Sequence, residues 1–270
     1  MVARSALQSL NNDKKEPFGA LFCGIIDYMR EVNNIITVKN FKMTFDQKTV
    51  IKDLSFEVKR GEIFGLLGSN GSGKTTTIRT LLGLYTQTAG ELLINGKKFS
   101  PDNITVGYLP EDRGLYKKEN VIDVMEYFGK LKGLKNPKEW SLKYLKRVGI
   151  GDKANQKIER LSTGQQQKVQ LGITIMNDPE LLILDEPTKG FDPVNRKLLM
   201  DIIDELHKKG TTIILITHYM DEVERLCDSA LLLKGGKAYA YGKVSDIKKK
   251  FGGKSFDQIF VEVYGEASNA

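Results

Sequence analysis

The sequence predicts an α/β fold: a mainly parallel sheet covered by helices, fronted by an antiparallel β subdomain and interrupted by an inserted α-helical subdomain. Three patterns carry this expectation. Ile63 to Leu67, Ile104 to Leu109, Leu181 to Leu184 and Thr212 to Ile216 are continuously apolar, as in strands buried on both faces. Ile36 and Val38, then Leu54, Phe56 and Val58, alternate instead with polar residues, as half-exposed strands do. Between roughly residues 115 and 170 the strand patterns stop and helical spacing takes over.

Residues 1–34 read as a polar, irregular N-terminal extension within which Met29 offers an alternative start. Its one apolar stretch, Ala20 to Ile26, is far shorter than the ~20 residues of a membrane span. With Asp13 and Glu16 ahead of it and no small-residue cleavage site behind, it also makes a poor signal peptide. Asn95-Gly96, following Leu92-Leu93-Ile94, reads as a tight hairpin turn. Asn120 is placed to cap a helix carrying Val121, Val124, Met125 and Phe128. Asn136-Pro137 opens another with Trp140, Tyr144, Leu145 and Val148 at helical spacing, aromatics that read as core. The main domain is expected over residues 35–243, with the helical subdomain at about 113–170 and a C-terminal tail from 244 to 270.

Composition narrows the classes. With 270 residues, 40% hydrophobic and 28% charged, the chain can bury a sizeable core. Its two cysteines, Cys23 and Cys227, have no paired spacing, which argues against a disulfide framework and for a reducing, cytoplasmic setting. The formal charge is +7, a balance that suits nucleic acid or an anionic membrane surface. The lysines read as spread out rather than blocked, which favours an ordinary solvated surface; the densest run is Lys248-Lys249-Lys250.

Directly after the strand Ile63 to Leu67 comes GSNGSGKTT, residues 68–76. It satisfies G-x-x-x-x-G-K-[ST] with a strand before and a helix after, and it predicts a P-loop NTPase core. Gly68, Gly71 and Gly73 let the backbone bend so that its N–H groups, with Ser69, Asn70, Ser72 and Thr76, form a nest for nucleotide phosphates, which by itself leaves kinases, GTPases and motors open. The helix opening near Lys74 adds its positive dipole end, Lys74 a point charge for the β- and γ-phosphates, and Thr75 a hydroxyl for Mg²⁺. Leu181 to Leu184 then runs into two adjacent carboxylates, Asp185 and Glu186. Such groups are costly to desolvate unless paired or metal-bound. An acidic residue ending a neighbouring strand is a second Mg²⁺ ligand in P-loop enzymes, which fits Asp185, and leaves Glu186 as a general base for water. Asp185 as a simple helix cap is the competing structural reading.

Four further stretches resemble the ABC-type ATPases. LSTGQQQKV at 161–169 is similar to their signature motif, KGFDP at 189–193 to the D-loop, ITH at 216–218 to the switch histidine, and GYLPED at 107–112 sits where the Q-loop falls. The resemblance covers about residues 35–243, and YLPEDRGLY at 108–116 resembles the sodium-extrusion and drug-efflux exporter branch, in which the ATPase is a separate chain paired with a membrane permease. It implies that Phe45 stacks on adenine and that Ser162, Thr163, Gly164 and Gln165 meet ATP held by a second copy. It also implies that Asp192 lies at the dimer interface, that His218 holds the γ-phosphate and orients Glu186, and that Glu111, where the family has Gln, reaches the metal. Thr163 and Phe191 are further departures, from Gly and Leu. His207, near a helix C-terminus, reads as structural.

The resemblance thus implies an ATP-hydrolysing subunit, working with ATP and Mg²⁺ as a homodimer. It would be peripheral at the inner face of the cell membrane and drive a permease, with no specific nucleic acid expected. The alternative is a soluble ABC ATPase acting on nucleic acid or the ribosome. The chain's single cassette, with Lys74 and Ser162 only 88 positions apart, disfavours it. A non-hydrolysing regulatory subunit is disfavoured by intact Lys74, Asp185, Glu186 and His218.

Overall fold

The computed structural model describes residues 33–111 and 114–265. Among them one nine-stranded sheet runs in the order β4-β1-β2-β9-β8-β3-β7-β6-β5. Its strands are β1 (Asn34–Phe45), β2 (Lys48–Lys59), β3 (Ile63–Leu67), β4 (Ala89–Ile94), β5 (Val106–Leu109), β6 (Leu181–Asp185), β7 (Thr212–Ile216), β8 (Ser229–Lys234) and β9 (Lys237–Lys243). β3, β5, β6, β7 and β8 run parallel to one another, and β9 lies antiparallel to β8. β1, β2 and β4 form the expected antiparallel part, joined on through Lys52 N–H and the Gly236 carbonyl at 2.9 Å. The Asn95-Gly96 turn is tight: Ile94 and Lys97 exchange both backbone hydrogen bonds, with φ of +53° and +70° at the two turn residues. The apolar run at 104–109 is a strand only from Val106. β8 and the C-terminal edge of β9 were not among the expected strands.

Burial on both faces explains the continuous apolar runs. Leu182 and Leu184 join one core cluster with the helical insert, while Leu181 and Ile183 join the other with β1, β2 and β4.

The helices are α1 (Lys74–Leu81), α2 (Val121–Leu131), α3 (Pro137–Arg147), α4 (Thr163–Ile175), α5 (Pro193–Lys208), α6 (Met220–Leu226), α7 (Val244–Lys250) and α8 (Phe256–Tyr264). α2, α3 and α4 build the insert. Asn120 precedes α2 as expected but does not cap it with its side chain, whose amide instead donates to Asp123 at 2.8 Å. Trp140 and Tyr144 stack with centroids 5.2 Å apart, and the buried Tyr144 hydroxyl donates to the Lys168 carbonyl at 2.8 Å, fastening α3 to α4. The described part of the C-terminal tail, residues 244–265, carries α7 and α8. Phe256, Ile259 and Val263 of α8 are buried in the core, and the Tyr264 hydroxyl donates to the Leu233 carbonyl at 3.1 Å.

The charge is not spread out. Residues 114–170 hold 13 Lys and Arg against 6 Asp and Glu, so the insert carries the whole formal excess of +7 and the remainder of the chain is balanced. Lys117, Lys118, Lys135, Lys138, Lys146 and Lys157 are exposed and have no carboxylate partner among the described residues. The reading of an evenly solvated surface overlooked this because the lysines alternate with apolar residues rather than forming a block.

The α3–α4 contact tolerates no added volume. A Cβ on Gly172 would stand 2.4 Å from Tyr144 Cε1 and 2.9 Å from Met125 Cε. Gly172→Ala is therefore expected to destabilise the chain by about 1–3 kcal/mol, read as a lower urea midpoint. An unchanged midpoint would mean that the ring moves aside freely.

Candidate active site

β3 runs into a loop whose glycines are dictated by space. A Cβ on Gly68 would lie 2.4 Å from Ser72 Oγ and 2.7 Å from the Leu233 carbonyl, and one on Gly73, at φ +108°, 2.3 Å from Ile51 Cδ1. Gly73 caps α1 with no side chain, so the first N–H groups of that helix face the loop. Lys74 curls over it, donating to the carbonyls of Gly68 at 2.8 Å and Ser69 at 3.1 Å. Burial pushes the Lys74 pKa down, and the charges of Glu186, Asp185 and Glu111 oppose that shift. Ser72 Oγ is buried with no hydrogen-bond partner among the described residues.

β6 ends at Asp185, which is only 4% exposed. Thr75 Oγ1 donates to its Oδ2 at 3.4 Å. Burial, then the charges of Glu186 and Glu111, push the Asp185 pKa up to about 6, while Lys74 and Thr75 pull the other way. At the next residue the chain turns into the left-handed region, with φ +51° at Glu186. This conformation costs a non-glycine residue roughly 1–3 kcal/mol and persists only when neighbours hold it. Here Glu186 N–H donates to the Ile216 carbonyl at 2.8 Å, and the Gln167 amide donates to the carbonyls of Glu186 and Pro187. The turn separates the two carboxylates: Asp185 faces Thr75, while Glu186 Oε2 meets His218 Nδ1 at 2.6 Å. Burial raises the Glu186 pKa and His218 lowers it. His218 is half-exposed, its ring 4.1 Å from that of Tyr219.

These groups share a cleft of about 1300 Å³ that brings together Phe45, residues 68–76, Glu111, Asp185, Glu186 and His218. Phe45 is 38% exposed, its ring meeting Tyr85 edge-on at 5.4 Å. Glu111 is ion-paired to Lys189 at 2.5 Å. Ser162, Thr163, Gly164, Gln165 and Asp192 are not in this cleft. They line a second cavity of about 570 Å³. There Ser162 and Gln165 form a capping box for α4, each side chain accepting from the other's N–H at 3.3 and 3.0 Å. Asp192 caps α5 by accepting from Val194 and Asn195 N–H, both at 2.9 Å. Two of the three departures from the family pattern, Thr163 and Phe191, lie close together. The Phe191 ring would stand 3.2 Å from a Cβ on Gly164, and Thr163 Cγ2 4.0 Å from one on Gly190. His207 lies 3.5 Å from Asp228, away from both cavities.

Sequence reasoning missed Lys189, Gln167, and Phe260 and Tyr264, which line the first cleft from α8. Lys189 and Gln167 lay inside motifs already noticed. The α8 residues had no local signal, being brought in by the fold alone.

A divalent cation fits the first cleft. No group of three His, Cys, Asp or Glu side chains forms a ready-made metal cluster among the described residues. Thr75 and Asp185 nonetheless converge as hard oxygen donors in a site crowded with carboxylates, which suits a cation completed by phosphate oxygens.

Known proteins share this sequence pattern and fold. The ABC transporter family profile matches residues 51–189. An uncharacterised ABC transporter ATP-binding protein of Methanocaldococcus jannaschii is 48% identical over 80% of this chain and 80% of its own. A Nod factor export ATP-binding protein of Cupriavidus pinatubonensis is 36% identical over 86% of this chain and 72% of its own. A solved ATP-binding subunit of an ABC transporter superposes with a TM-score of 0.78 at 31% identity, covering 85% of this chain and 99% of that one.

The raised pKa of Asp185 has a sign. Between pH ~4 and ~6 the unfolded chain releases a proton that the folded chain retains, so stability falls as pH rises and the cost is complete above about 6. A gap of roughly two units corresponds to at most about 3 kcal/mol. Asp185→Asn should therefore raise the melting temperature of the nucleotide-free protein at pH 7.5 and change it little at pH 4, by thermal unfolding at both. A lower melting temperature at pH 7.5 would show that the charge is not a burden to the fold.

Proposed function

This chain belongs to the ABC transporter family as an ATP-binding subunit, and we propose that it hydrolyses ATP between two copies of itself to drive a separate membrane permease in export. The observation that carries the hydrolytic reading is the 2.6 Å contact between Glu186 and His218, placed across the cleft from the Lys74 loop. The Nod factor export relative supports the direction.

In this reading the loop N–H groups and Lys74 bind the β- and γ-phosphates, Lys74 exchanging the carbonyls of Gly68 and Ser69 for phosphate oxygens. Phe45 offers its exposed face to adenine. Bound Mg²⁺, held by Thr75 and Asp185 with Glu111 as a further oxygen, would neutralise phosphate charge. Glu186 takes a proton from the attacking water. His218, donating Nδ1–H, holds that carboxylate; a protonated ring would also present Nε2–H to a phosphate. Ser162 to Gln165 and Asp192, on their own cavity, face the nucleotide of the second copy, where the N-terminus of α4 supplies free N–H groups.

No helix among the described residues is long and apolar enough to cross a membrane. The permease is taken to dock on the insert, where Tyr116, Tyr127 and Leu131 are exposed and Tyr116 packs its ring against Tyr127 and Phe128. This contact would bring the chain to the inner face of the membrane. The charge of the insert favours one rival, a soluble ABC ATPase acting on nucleic acid.

Glu186→Gln keeps the shape of the side chain but removes the base. ATP binding should survive and turnover fall by roughly 10²-fold or more, while a dimer accumulates in Mg-ATP on size-exclusion chromatography. Near-normal turnover would take Glu186 out of the mechanism. Tyr127→Asp should keep basal ATPase activity and lose co-purification with the permease. Intact co-purification, together with salt-sensitive binding of RNA by the wild type, would favour the rival.

A further inference from the structure

Helix α6 starts two residues beyond His218 and carries Glu222, whose side chain is 1% exposed. A carboxylate buried this deeply is costly unless its lone pairs are met by donors. Three donors meet it, each from a different part of the chain. Thr188 Oγ1 donates to Oε1 at 2.6 Å, Arg196 Nε to the same oxygen at 2.8 Å, and Thr217 Oγ1 to Oε2 at 2.9 Å.

The sources of those donors are telling. Thr188 lies two residues after Glu186, on the segment that holds the strained turn. Thr217 is the residue before His218. Arg196 is in the first turn of α5, the helix capped by Asp192. Arg196 also reaches Asp221 at 2.6 Å and lies over the Tyr219 ring, which packs against His218. Glu222 lines neither the nucleotide cleft nor the second cavity. We propose that Glu222 is a positioning residue: it ties the Glu186 turn, the His218 end of β7 and the head of α5 into one unit and so fixes the Glu186–His218 contact. The proposal rests on Glu186 acting as base, and it adds a group that sets the geometry of that base without touching nucleotide.

Capture of ATP by the Lys74 loop should then be separable from turnover. Glu222→Gln preserves volume but replaces one acceptor oxygen with a donor, leaving at least one of the three donors unmatched. Its kcat should fall by roughly tenfold or more, since small misplacements of reacting groups are expensive. The Kd for ATP, measured by equilibrium binding, should stay within about twofold. Thr188→Val and Thr217→Val should each lose kcat although volume is kept, and Thr188→Ser and Thr217→Ser, which restore the hydroxyl, should recover it. In the folded double variant Glu222→Gln/Thr188→Val the losses should not multiply, because both break one unit. Circular dichroism at the assay temperature verifies folding, and if Glu222→Gln does not fold, the valine–serine comparison carries the test.

Wild-type kcat in the folded Glu222→Gln protein or in both valine variants would overturn the proposal. So would valine variants that serine fails to rescue, or equal losses in kcat and ATP affinity. The underlying reading fails separately: Glu186→Gln with normal turnover refutes the base, whereas an inactive Glu186→Gln beside a fully active Glu222→Gln refutes only the positioning role.

Discussion

The site depends on three adjacent parallel strands ending at one level. In the sheet Gly65 of β3 pairs with Leu215 of β7, and Leu215 pairs with Leu184 of β6. From that common row the chain needs three steps to reach Gly68, three to reach His218, and one and two to reach Asp185 and Glu186. Register alone therefore delivers the phosphate loop, the histidine and both carboxylates to one edge. Parallel sheets place ligands at the carboxyl ends of their strands for this reason. The register is in turn enforced by burial on both faces, where a shift of one residue would exchange the two core clusters.

The same edge concentrates charge of both signs. Asp185, Glu186 and Glu111 share a cleft with Lys48, Lys52, Lys74, Lys189 and His218. Three of these groups have local partners: Lys74 its own loop carbonyls, Lys189 the Glu111 carboxylate, His218 the Glu186 carboxylate. Asp185 alone is left to a long contact from Thr75, and it is the carboxylate whose pKa climbs to about 6. The fold thus leaves one buried carboxylate short of positive charge. A cation brought with the nucleotide would supply it, and the interaction would be strong because the site is partly desolvated.

How much of this was legible depends on whether the physics is local. The phosphate loop was, because nested N–H groups need glycines at fixed spacing and a strand and helix on either side. Asp185 and Glu186 stood out because carboxylates rarely follow four aliphatic residues in a row. The front antiparallel strands and the insert showed through their periods. Thr75 facing Asp185 needed only the knowledge that two motifs share an edge. By contrast, the α8 residues enter the cleft from the far end of the chain, and the Glu222 donors come from positions 188, 196 and 217. No period in the sequence marks such convergence. Residues 1–32, with Cys23 and Met29, lie outside the described residues.

The strained backbone at Glu186 links these levels. Had Glu186 continued the strand, its side chain would have pointed to the face opposite Asp185, into one of the two apolar cores. The left-handed turn keeps both carboxylates at the edge and aims Glu186 at His218. Its cost is met locally by the Ile216 carbonyl and by Gln167, a residue of the signature helix α4. The helix that faces the second cavity is thus hydrogen-bonded to the backbone of the residue in the first. Displacement of α4 with the rest of the insert would have to strain or release that turn. This contact gives the insert a physical route to the Glu186 backbone within a single chain, beside the Glu111–Lys189 pair, whose Lys189 N–H donates to the Glu186 carbonyl at 3.2 Å.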